Sequence, residues 1–334
     1  MAEQLICNQQ VIGSNPIIGF FQYLGEFPSG QRGQTVNLLA VLSVVRIHLP
    51  PLTSRESGFF CYQEPPAAGE DISAPGRRNG MIIVEKIQIP GMETREPRRL
   101  YVSLPKGYEE GSERYPVLYM FDGHNVFYDH HATYGKSWGM REYLQRSGRR
   151  LIVVAIECNP EGNNRLSEYA PWDFTSRHFG SIRGRGAETM EWLAGSLKPQ
   201  IDARYRTLLD REHTLIAGSS MGGLMSVYAA VRYNAVYSRA AALSPSLFFG
   251  TRGLSKLLRE TPLAAPTRIY LDYGSEEAGG TRPLELMFQT AQKLSKNGAN
   301  VAARTVPGAY HSEAWWEKRI PVFMEYLLEE GETP

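Results

Sequence analysis

The sequence has few cysteines, no surplus of charge of either sign and no long hydrophobic run. Its 334 residues include 3 cysteines, Cys7, Cys61 and Cys158, without a CxxC pair, which argues against a disulfide framework and a structural zinc centre. The formal net charge is +1 and the basic residues are scattered, so neither nucleic acid nor an anionic membrane is indicated as a partner. The longest apolar run, Leu38 to Val45, is too short to cross a membrane. Cys158 follows an apolar run and is interpreted as a buried thiol rather than a catalytic one.

The first 80 residues differ from the rest of the chain, because turn formers interrupt every apolar run and no periodicity is sustained. One nucleotide string, similar to the T-arm of transfer RNA genes, can encode both Gly13 to Pro16 and, in another frame, Val45 to Ile47. We therefore expect residues 1–80 to be poorly ordered. We hypothesise that they are translated non-coding sequence and that Met81 is the true start; a natural N-terminal extension is the alternative. The chain from Met81 begins with a strand-like alternation rather than a signal peptide, so a cytoplasmic protein is expected.

Strand-like and helix-like patterns alternate through residues 81–334. Several of the strand patterns are almost continuously apolar, which is typical of strands covered on both faces. The pattern predicts one α/β domain with a mostly parallel central sheet and helices on both faces. The predicted strands after the first are 99–104, 117–121, 151–156, 214–217, 240–243, 268–273 and 301–306, and the predicted helices are 137–147, 186–205, 222–233, 283–297 and 314–330.

Ser220 is the candidate nucleophile. It stands in a G-x-S-x-G pattern, Gly218 to Gly222, between an apolar strand pattern and a helix pattern rich in small residues. Such a tight strand-to-helix turn exposes the serine hydroxyl, and the flanking glycines let neighbouring backbone pass closely. Ser219 also carries a hydroxyl but does not occupy the apex of the turn. The backbone N–H of Met221 is then expected to form one half of an oxyanion hole.

The candidate base and acid follow from chain order. Of the seven histidines, His311 alone lies C-terminal to Ser220, on a predicted loop after a strand, which fits the order serine, acid, histidine of α/β-hydrolases. The acid should follow a strand between those two residues. Glu276 and Glu277 lie in such a loop, and Glu277 is preferred. Asp272 lies within the preceding strand, where we expect it to pack or pair.

Four ordered motifs give the chain a resemblance to the putative esterase family, which groups enterobactin esterase-like and feruloyl esterase-like enzymes with mycolyltransferases. The resemblance covers residues 81–328 and implies an α/β-hydrolase fold, a serine triad, ester substrates, and neither cofactor nor metal. In the family a Gly-x-x-Glu turn carries the acid, which corresponds to Gly274 to Glu277, although some members use a serine–histidine dyad. The motifs are Tyr115 to Phe127, Arg165 to Tyr169, Gly218 to Gly223, and Tyr310-His311 with Trp315.

Further site residues are expected on the same basis. The second oxyanion N–H is placed at Gly123 or His124, and the His124 ring is expected to be hydrogen bonded within its loop. Arg165 either pairs with Glu168, three residues on, or contacts substrate. Trp315 is a candidate for substrate binding, although tryptophans near such a site are more often core or rim residues.

The sequence therefore predicts a serine esterase that hydrolyses carboxylic esters through an acyl-enzyme on Ser220. Its partner would be a small-molecule or carbohydrate ester: feruloyl groups, acetylated carbohydrates and siderophore lactones all fit. An acyltransferase on the same scaffold is the first alternative. A non-catalytic carbohydrate-binding protein is the second, and the presence of Ser220, Glu277 and His311 together argues against it.

Overall fold

The structure, a computed structural model, describes residues 80–328 of the chain, so the expectations for residues 1–79 and 329–334 lie outside it. Within this region eight strands form one sheet and two short strands form a separate hairpin. In chain order the strands are β1 (Ile82–Ile87), β2 (Arg98–Ser103), β3 (Val117–Met120), β4 (Ile152–Ile156), the hairpin β5 (Phe174–Ser176) and β6 (Gly180–Ile182), β7 (Thr214–Ser219), β8 (Arg239–Leu243), β9 (Arg268–Gly274) and β10 (Asn300–Val306).

The main sheet has the spatial order β1-β2-β4-β3-β7-β8-β9-β10. β2 pairs antiparallel with β1 and β4, whereas every pairing from β4 through β10 is parallel. The prediction of a mostly parallel sheet is therefore confirmed. The expected strands lie within about two residues of the observed bounds. The three-residue strands of the hairpin were not predicted, because they are too short to show an alternation.

Helices cover the sheet, and most lie where the periodicity placed them. Two predictions were wrong in detail: the expected helix 314–330 is two helices within the described residues, and Thr251–Glu260 and Asn164–Glu168 were missed. The expected helix 186–205 contains a π-helical segment, Leu193–Leu197, between two α-helical segments. The helices are α1 (Met140–Ser147), α2 (Asn164–Glu168), α3 (Gly186–Trp192), α4 (Lys198–Arg204), α5 (Met221–Arg232), α6 (Thr251–Glu260), α7 (Thr281–Lys296), α8 (Glu313–Glu317) and α9 (Ile320–Leu328).

The central strands are buried on both faces, and alternate side chains enter different cores. On β3, Val117 and Tyr119 belong to the core that contains α5, whereas Leu118 and Met120 belong to the core that contains α1 and α9. This period of two is what a strand between two helical layers requires. Among the described residues no helix is both long and apolar enough to span a bilayer.

The parallel arrangement fixes where a site can form. Because parallel strands end at the same edge of a sheet, the loops that follow them meet there. The loop after β7 begins with Ser220, the loop after β9 contains Glu277, and the loop after β10 contains His311. The three candidate residues therefore belong to one edge of the sheet although they are far apart in sequence.

Candidate active site

Ser220 lies at a sharp turn between β7 and α5. Its φ of 56° and ψ of −121° place a non-glycine residue in a strained part of backbone space. Gly218 and Gly222 make this turn feasible: a Cβ on Gly218 would lie 2.7 Å from the carbonyl carbon of Gly222, which leaves no room for a side chain. The sequence therefore builds the predicted elbow, with a serine at its apex.

The Ser220 side chain is buried at the base of a cleft and lies 3.3 Å, oxygen to oxygen, from the hydroxyl of Ser246. The Ser220 N–H donates to the carbonyl of Leu243, and its carbonyl accepts from the N–H of Leu224. Met221 is the first residue of α5, so the helix provides no acceptor for its N–H group. That amide fits the expected half of an oxyanion hole.

His311 lies between β10 and α8 and lines the same cleft as Ser220. Its Nδ1 is 2.7 Å from Oε2 of Glu277, and its ring meets Trp316 edge-on with the centroids 4.9 Å apart. Its Nε2 is buried and has no hydrogen-bond partner among the described residues. A carboxylate can only accept hydrogen bonds, so the Nδ1 carries the proton and the Nε2 of the neutral ring is left with a free lone pair.

Glu277 is held in a dense set of hydrogen bonds. Its Oε1 accepts from the Ser244 hydroxyl at 2.6 Å, from the Gly274 N–H at 2.8 Å and from Arg319 at 3.4 Å. Burial raises the pKa of the Glu277 carboxyl, but the hydrogen bonds from His311, Ser244 and Gly274 outweigh it, so the pKa is lowered overall. Glu276 is exposed and bonds to Ser275 instead. The structure thus places Glu277, the preferred candidate, beside His311.

Ser244 and Arg319 support this carboxylate, and neither was identified from the sequence. Arg319 is buried and donates to Asp272 at 2.8 Å and to the Ser244 hydroxyl at 3.1 Å. Asp272 also accepts from the Tyr270 hydroxyl, so the expectation that it pairs within the core is confirmed. Burial raises the pKa of Asp272, although Arg319 partly offsets the effect. No sequence pattern indicates a role for Arg319, because its burial depends on a carboxylate from a distant strand.

The turn after β3 brings a second set of backbone amides to the cleft. Residues Gly123–Asn125 form one turn of 3-10 helix, so the N–H groups of Gly123 and His124 have no acceptor within it. A Cβ on Gly123 would lie 2.7 Å from the carbonyl of Ala155, which explains the glycine. Both predicted positions therefore fit an oxyanion donor. We call Asp122 to Asn125 the oxyanion turn.

Two side chains of this region behave as expected. The Nε2 of His124 is 3.0 Å from the Thr133 hydroxyl, which confirms a hydrogen-bonded loop histidine, and burial lowers its pKa. Cys158 is a buried thiol whose pKa is raised well above its usual range by burial.

Asp122, His124 and Cys158 offer oxygen, nitrogen and sulfur atoms within 4.8 Å of one another, as a metal would require. However, Arg165 engages both Asp122 oxygens, at 2.7 and 2.8 Å.

Two expectations about charged and aromatic residues were wrong. Arg165 does not pair with Glu168, because the guanidinium reaches Asp122, whereas the carboxylate of Glu168 forms a buried ion pair with Arg98 at 2.7 Å. Arg165 nevertheless lines the cleft. Trp315 does not line it: its ring stacks near Lys318, whose Nζ is 4.0 Å from the ring centroid. Trp316 lines the cleft instead.

The cleft has a volume of about 580 Å³, and both polar and apolar surface lines it. It joins the elbow, the loop of His311 and the oxyanion turn, so candidate residues from three separate loops converge. Its lining residues include Arg99, Asp122, His124, Asn125, His131, Thr133, Tyr134, Lys136, Glu157, Cys158, Asn159, Arg165, Ser219, Ser220, His311, Glu313 and Trp316.

Comparison with known proteins gives a family match and several likenesses. The sequence profile of the putative esterase family, described as "Putative esterase", matches residues 91–326. The uncharacterized protein YbbA of Bacillus subtilis is 24% identical over 69% of this chain and 92% of its own length. Esterase Rv1288 of Mycobacterium tuberculosis is 28% identical over 43% of this chain, and the match spans 28% of that protein.

Solved structures share the fold. An IroE-like serine hydrolase of Shewanella oneidensis has a TM-score of 0.59 at 19% identity, covering 74% of this chain and 79% of that one. Siderophore hydrolase EstA of Aspergillus nidulans has a TM-score of 0.57 at 17% identity, covering 81% of this chain and 100% of that one. A ferulic acid esterase of Anaeromyces mucronatus has a TM-score of 0.53 at 19% identity, with coverages of 77% and 93%. These likenesses confirm the α/β-hydrolase fold.

Proposed function

Since this chain belongs to the putative esterase family and is a carboxylic ester hydrolase, we propose that it acts through an acyl-enzyme on Ser220. The observation that carries the proposal is the state of His311. Its Nδ1 donates to Glu277, and its Nε2 is left unpartnered among the described residues, in the cleft that Ser220 also lines. An imidazole held in this tautomer is a base ready to accept a proton.

In the first half-reaction the Ser220 Oγ attacks the ester carbonyl while the Nε2 of His311 accepts the hydroxyl proton. Glu277 stabilises the imidazolium that forms. The N–H of Met221 and an N–H of the oxyanion turn bind the carbonyl oxygen as it becomes negative. The loss of one such donor typically costs about 2.7–4 kcal/mol of barrier. His311 then returns the proton to the alkoxide, so the alcohol leaves and Ser220 is acylated.

In the second half-reaction water takes the place of the alcohol. His311 removes a proton from the water, whose oxygen forms a bond to the acyl carbon. Collapse of the tetrahedral intermediate breaks the bond to Ser220 Oγ, which receives the proton from His311. The products are a carboxylic acid and the free enzyme, so atoms and protons balance over the cycle.

We propose hydroxyl-rich esters, such as phenolic acyl groups on carbohydrates or siderophore lactones, as the substrate class. The polar and charged side chains among the cleft's lining residues support this choice, because these donors and acceptors would otherwise lose water without compensation. Its volume of about 580 Å³ is within the range of small-molecule sites. Two structural neighbours are described as a siderophore hydrolase and a ferulic acid esterase, which fits the same class.

The test is a panel of feruloyl, acetyl-carbohydrate, siderophore-lactone and p-nitrophenyl esters, assayed with wild type, Ser220→Ala and the matched control Ser219→Ala. We expect Ser220→Ala to lose hydrolysis and fluorophosphonate labelling, and Ser219→Ala to keep the labelling. Wild-type turnover by Ser220→Ala would overturn the mechanism. Transfer of the acyl group to an added sugar acceptor in preference to water would replace the hydrolase with an acyltransferase.

A further inference from the structure

Glu313 is a buried carboxyl of the cleft that the proposed mechanism does not use. It is 6% exposed, it lies two residues after His311, and it begins α8. It lines the same cleft as Ser220. Among the described residues it forms no ion pair, whereas Asp122 and Glu157, the other carboxylates of the cleft, each bind an arginine. A buried carboxyl without a cation needs an explanation.

The contact of Glu313 is with the oxyanion turn. Its Oε1 accepts from the Nδ2 of Asn125 at 3.1 Å, across 188 positions of sequence. The Oδ1 of Asn125 accepts from the backbone N–H of Thr133 at 3.0 Å. Because a backbone N–H can only donate, this second bond fixes the amide orientation, so the Nδ2 of Asn125 must point to an acceptor. Glu313 provides that acceptor in either protonation state.

This contact links two parts of the site whose separation must be kept constant. One end, Asn125, closes the turn that presents the N–H groups of Gly123 and His124. The other end, Glu313, belongs to the segment that carries His311. Displacement of a catalytic group by about 1 Å can cost roughly 100-fold in rate. A direct hydrogen bond between the two segments is therefore a means of holding oxyanion donors and base at a fixed separation.

The charge of Glu313 has a second consequence. Burial raises the pKa of Glu313 to about 7, against a hydrogen bond from its own backbone N–H that lowers it. Nearby Asp122 also disfavours its ionisation, and Arg165 favours it. Above that pH the cleft gains an unpaired negative charge beside the turn where negative charge develops in the reaction, which opposes oxyanion formation. The other titratable groups that line the cleft are Arg99, His124, His131, Tyr134, Lys136, Glu157, Cys158 and His311. Glu317 is the acid on the same helix and binds Lys136.

We propose that Glu313 is a positioning residue, which ties the oxyanion turn to the His311 segment through Asn125 and whose ionisation limits activity at alkaline pH. This inference rests on the proposed acyl-enzyme mechanism. It predicts that an acceptor at position 313 is required, and that a negative charge there is unfavourable to catalysis.

The experiment compares kcat and KM of wild type, Glu313→Ala and Glu313→Gln from acidic to alkaline pH, with Glu317→Gln as the matched control. We expect Glu313→Ala to lower kcat by roughly 10- to 100-fold with a smaller change in KM, because the donors move but the cleft remains. Glu313→Gln keeps an acceptor and should restore most of that loss. Its kcat/KM should also no longer decline above about pH 7, whereas wild type and Glu317→Gln decline.

Two outcomes overturn the inference: Glu313→Gln as impaired as Glu313→Ala, or an alkaline decline that is the same in wild type and Glu313→Gln. Thermal unfolding and fluorophosphonate labelling of each variant show that a loss of kcat occurs in folded protein. If Ser220→Ala is inactive while all Glu313 variants match wild type, the inference alone fails. If Ser220→Ala remains active, the mechanism itself fails.

Discussion

Replacement of Glu277 by glutamine tests how the carboxylate sets the tautomer of His311. Three donors converge on Oε1 of Glu277, and each is forced to donate. The Gly274 N–H and the Arg319 guanidinium can only donate hydrogen bonds. Ser244 receives hydrogen bonds from Trp316 and Arg319, so its own proton must go to Glu277. In Glu277→Gln the side-chain carbonyl oxygen therefore stays next to these three donors, and the NH₂ group faces His311.

The expected loss of kcat in Glu277→Gln depends on how strongly that amide orientation is preferred. Reversing the amide would break as many as three bonds to form one, which at about 1 kcal/mol per net bond disfavours it by roughly 2 kcal/mol. The Nδ1 of His311 must then accept a hydrogen bond, so the ring proton moves to Nε2, which can no longer take the Ser220 proton. The amide orientation alone therefore accounts for about 30-fold in kcat, and the loss of the negative charge that stabilises the imidazolium adds to it. Together, such a substitution of the triad acid typically costs about 10⁴-fold in kcat, or about 5.5 kcal/mol of barrier.

The assay is kcat on a chromogenic ester, with Glu276→Gln as the matched control because that neighbouring carboxylate is exposed. We expect Glu277→Gln to lose about 10⁴-fold and Glu276→Gln to stay near wild type. Thermal unfolding of both variants verifies that they are folded. Equal activity of the two variants would refute the reasoning, because it would mean that Glu277 does not set the state of His311.

Three further predictions concern stability. Arg98→Ala leaves the buried carboxylate of Glu168 without its cation, so the free energy of unfolding measured in urea should fall by about 3–5 kcal/mol. Gly218→Ala forces a Cβ to 2.7 Å from backbone of the elbow and should cost about 1–3 kcal/mol by the same measurement, together with hydrolytic activity. The folded-state pKa of Glu313 is raised from 4.5 to about 7, so the stability that its protonated form contributes is fully present below pH 4.5, falls as pH rises from there and is lost above about pH 7. Glu313→Gln should then exceed wild type in unfolding free energy by up to about 3 kcal/mol at alkaline pH, but not below pH 4.5.

Each of these stability predictions has a control, either a second variant or a second pH. Arg150→Ala removes an ion pair whose side chains are 52% and 56% exposed, so its cost should stay below about 1 kcal/mol. Gly195→Ala adds a methyl group to a helix where nothing lies within 4 Å, and it should stabilise by up to about 1 kcal/mol. An Arg98→Ala cost no larger than that of Arg150→Ala, or a stable and active Gly218→Ala, would contradict the packing described. So would a gain from Glu313→Gln that does not change with pH.

The features that the sequence predicted are those that depend on local pattern and chain order. Continuous apolar runs located the central strands, the strand–glycine–serine–helix context located Ser220, and chain order led to His311. Helix α6 was missed although it had a signal, since Leu254 and Leu258 are spaced by four and both are buried. The sequence of this segment therefore contains the information that predicts the helix.

The remainder of the site depends on partners that are distant in sequence. From its sequence context Arg319 resembles an ordinary surface arginine between two helices, and its contacts with Asp272, Ser244 and Glu277 explain its burial. Asn125 and Glu313 are 188 positions apart, so no local pattern joins them. The spacing of three residues suggested an ion pair between Arg165 and Glu168, but each of them forms an ion pair with a different residue. Helical spacing makes such a pair feasible, and tertiary packing decides whether it forms.

Three described residues other than glycine have φ in the left-handed region: Asp122, Ser220 and Ser244. They follow β3, β7 and β8, which are neighbours in the sheet. Residues held in such conformations cost of order 1–3 kcal/mol each. Directed evolution for heat resistance is therefore expected to select glycine at these three positions. Each such replacement would remove a side chain that the site uses. Selection for stability alone should therefore reduce hydrolytic activity first. Mutant libraries that are meant to keep this activity should leave these three positions unchanged and vary residues at the opposite edge of the sheet.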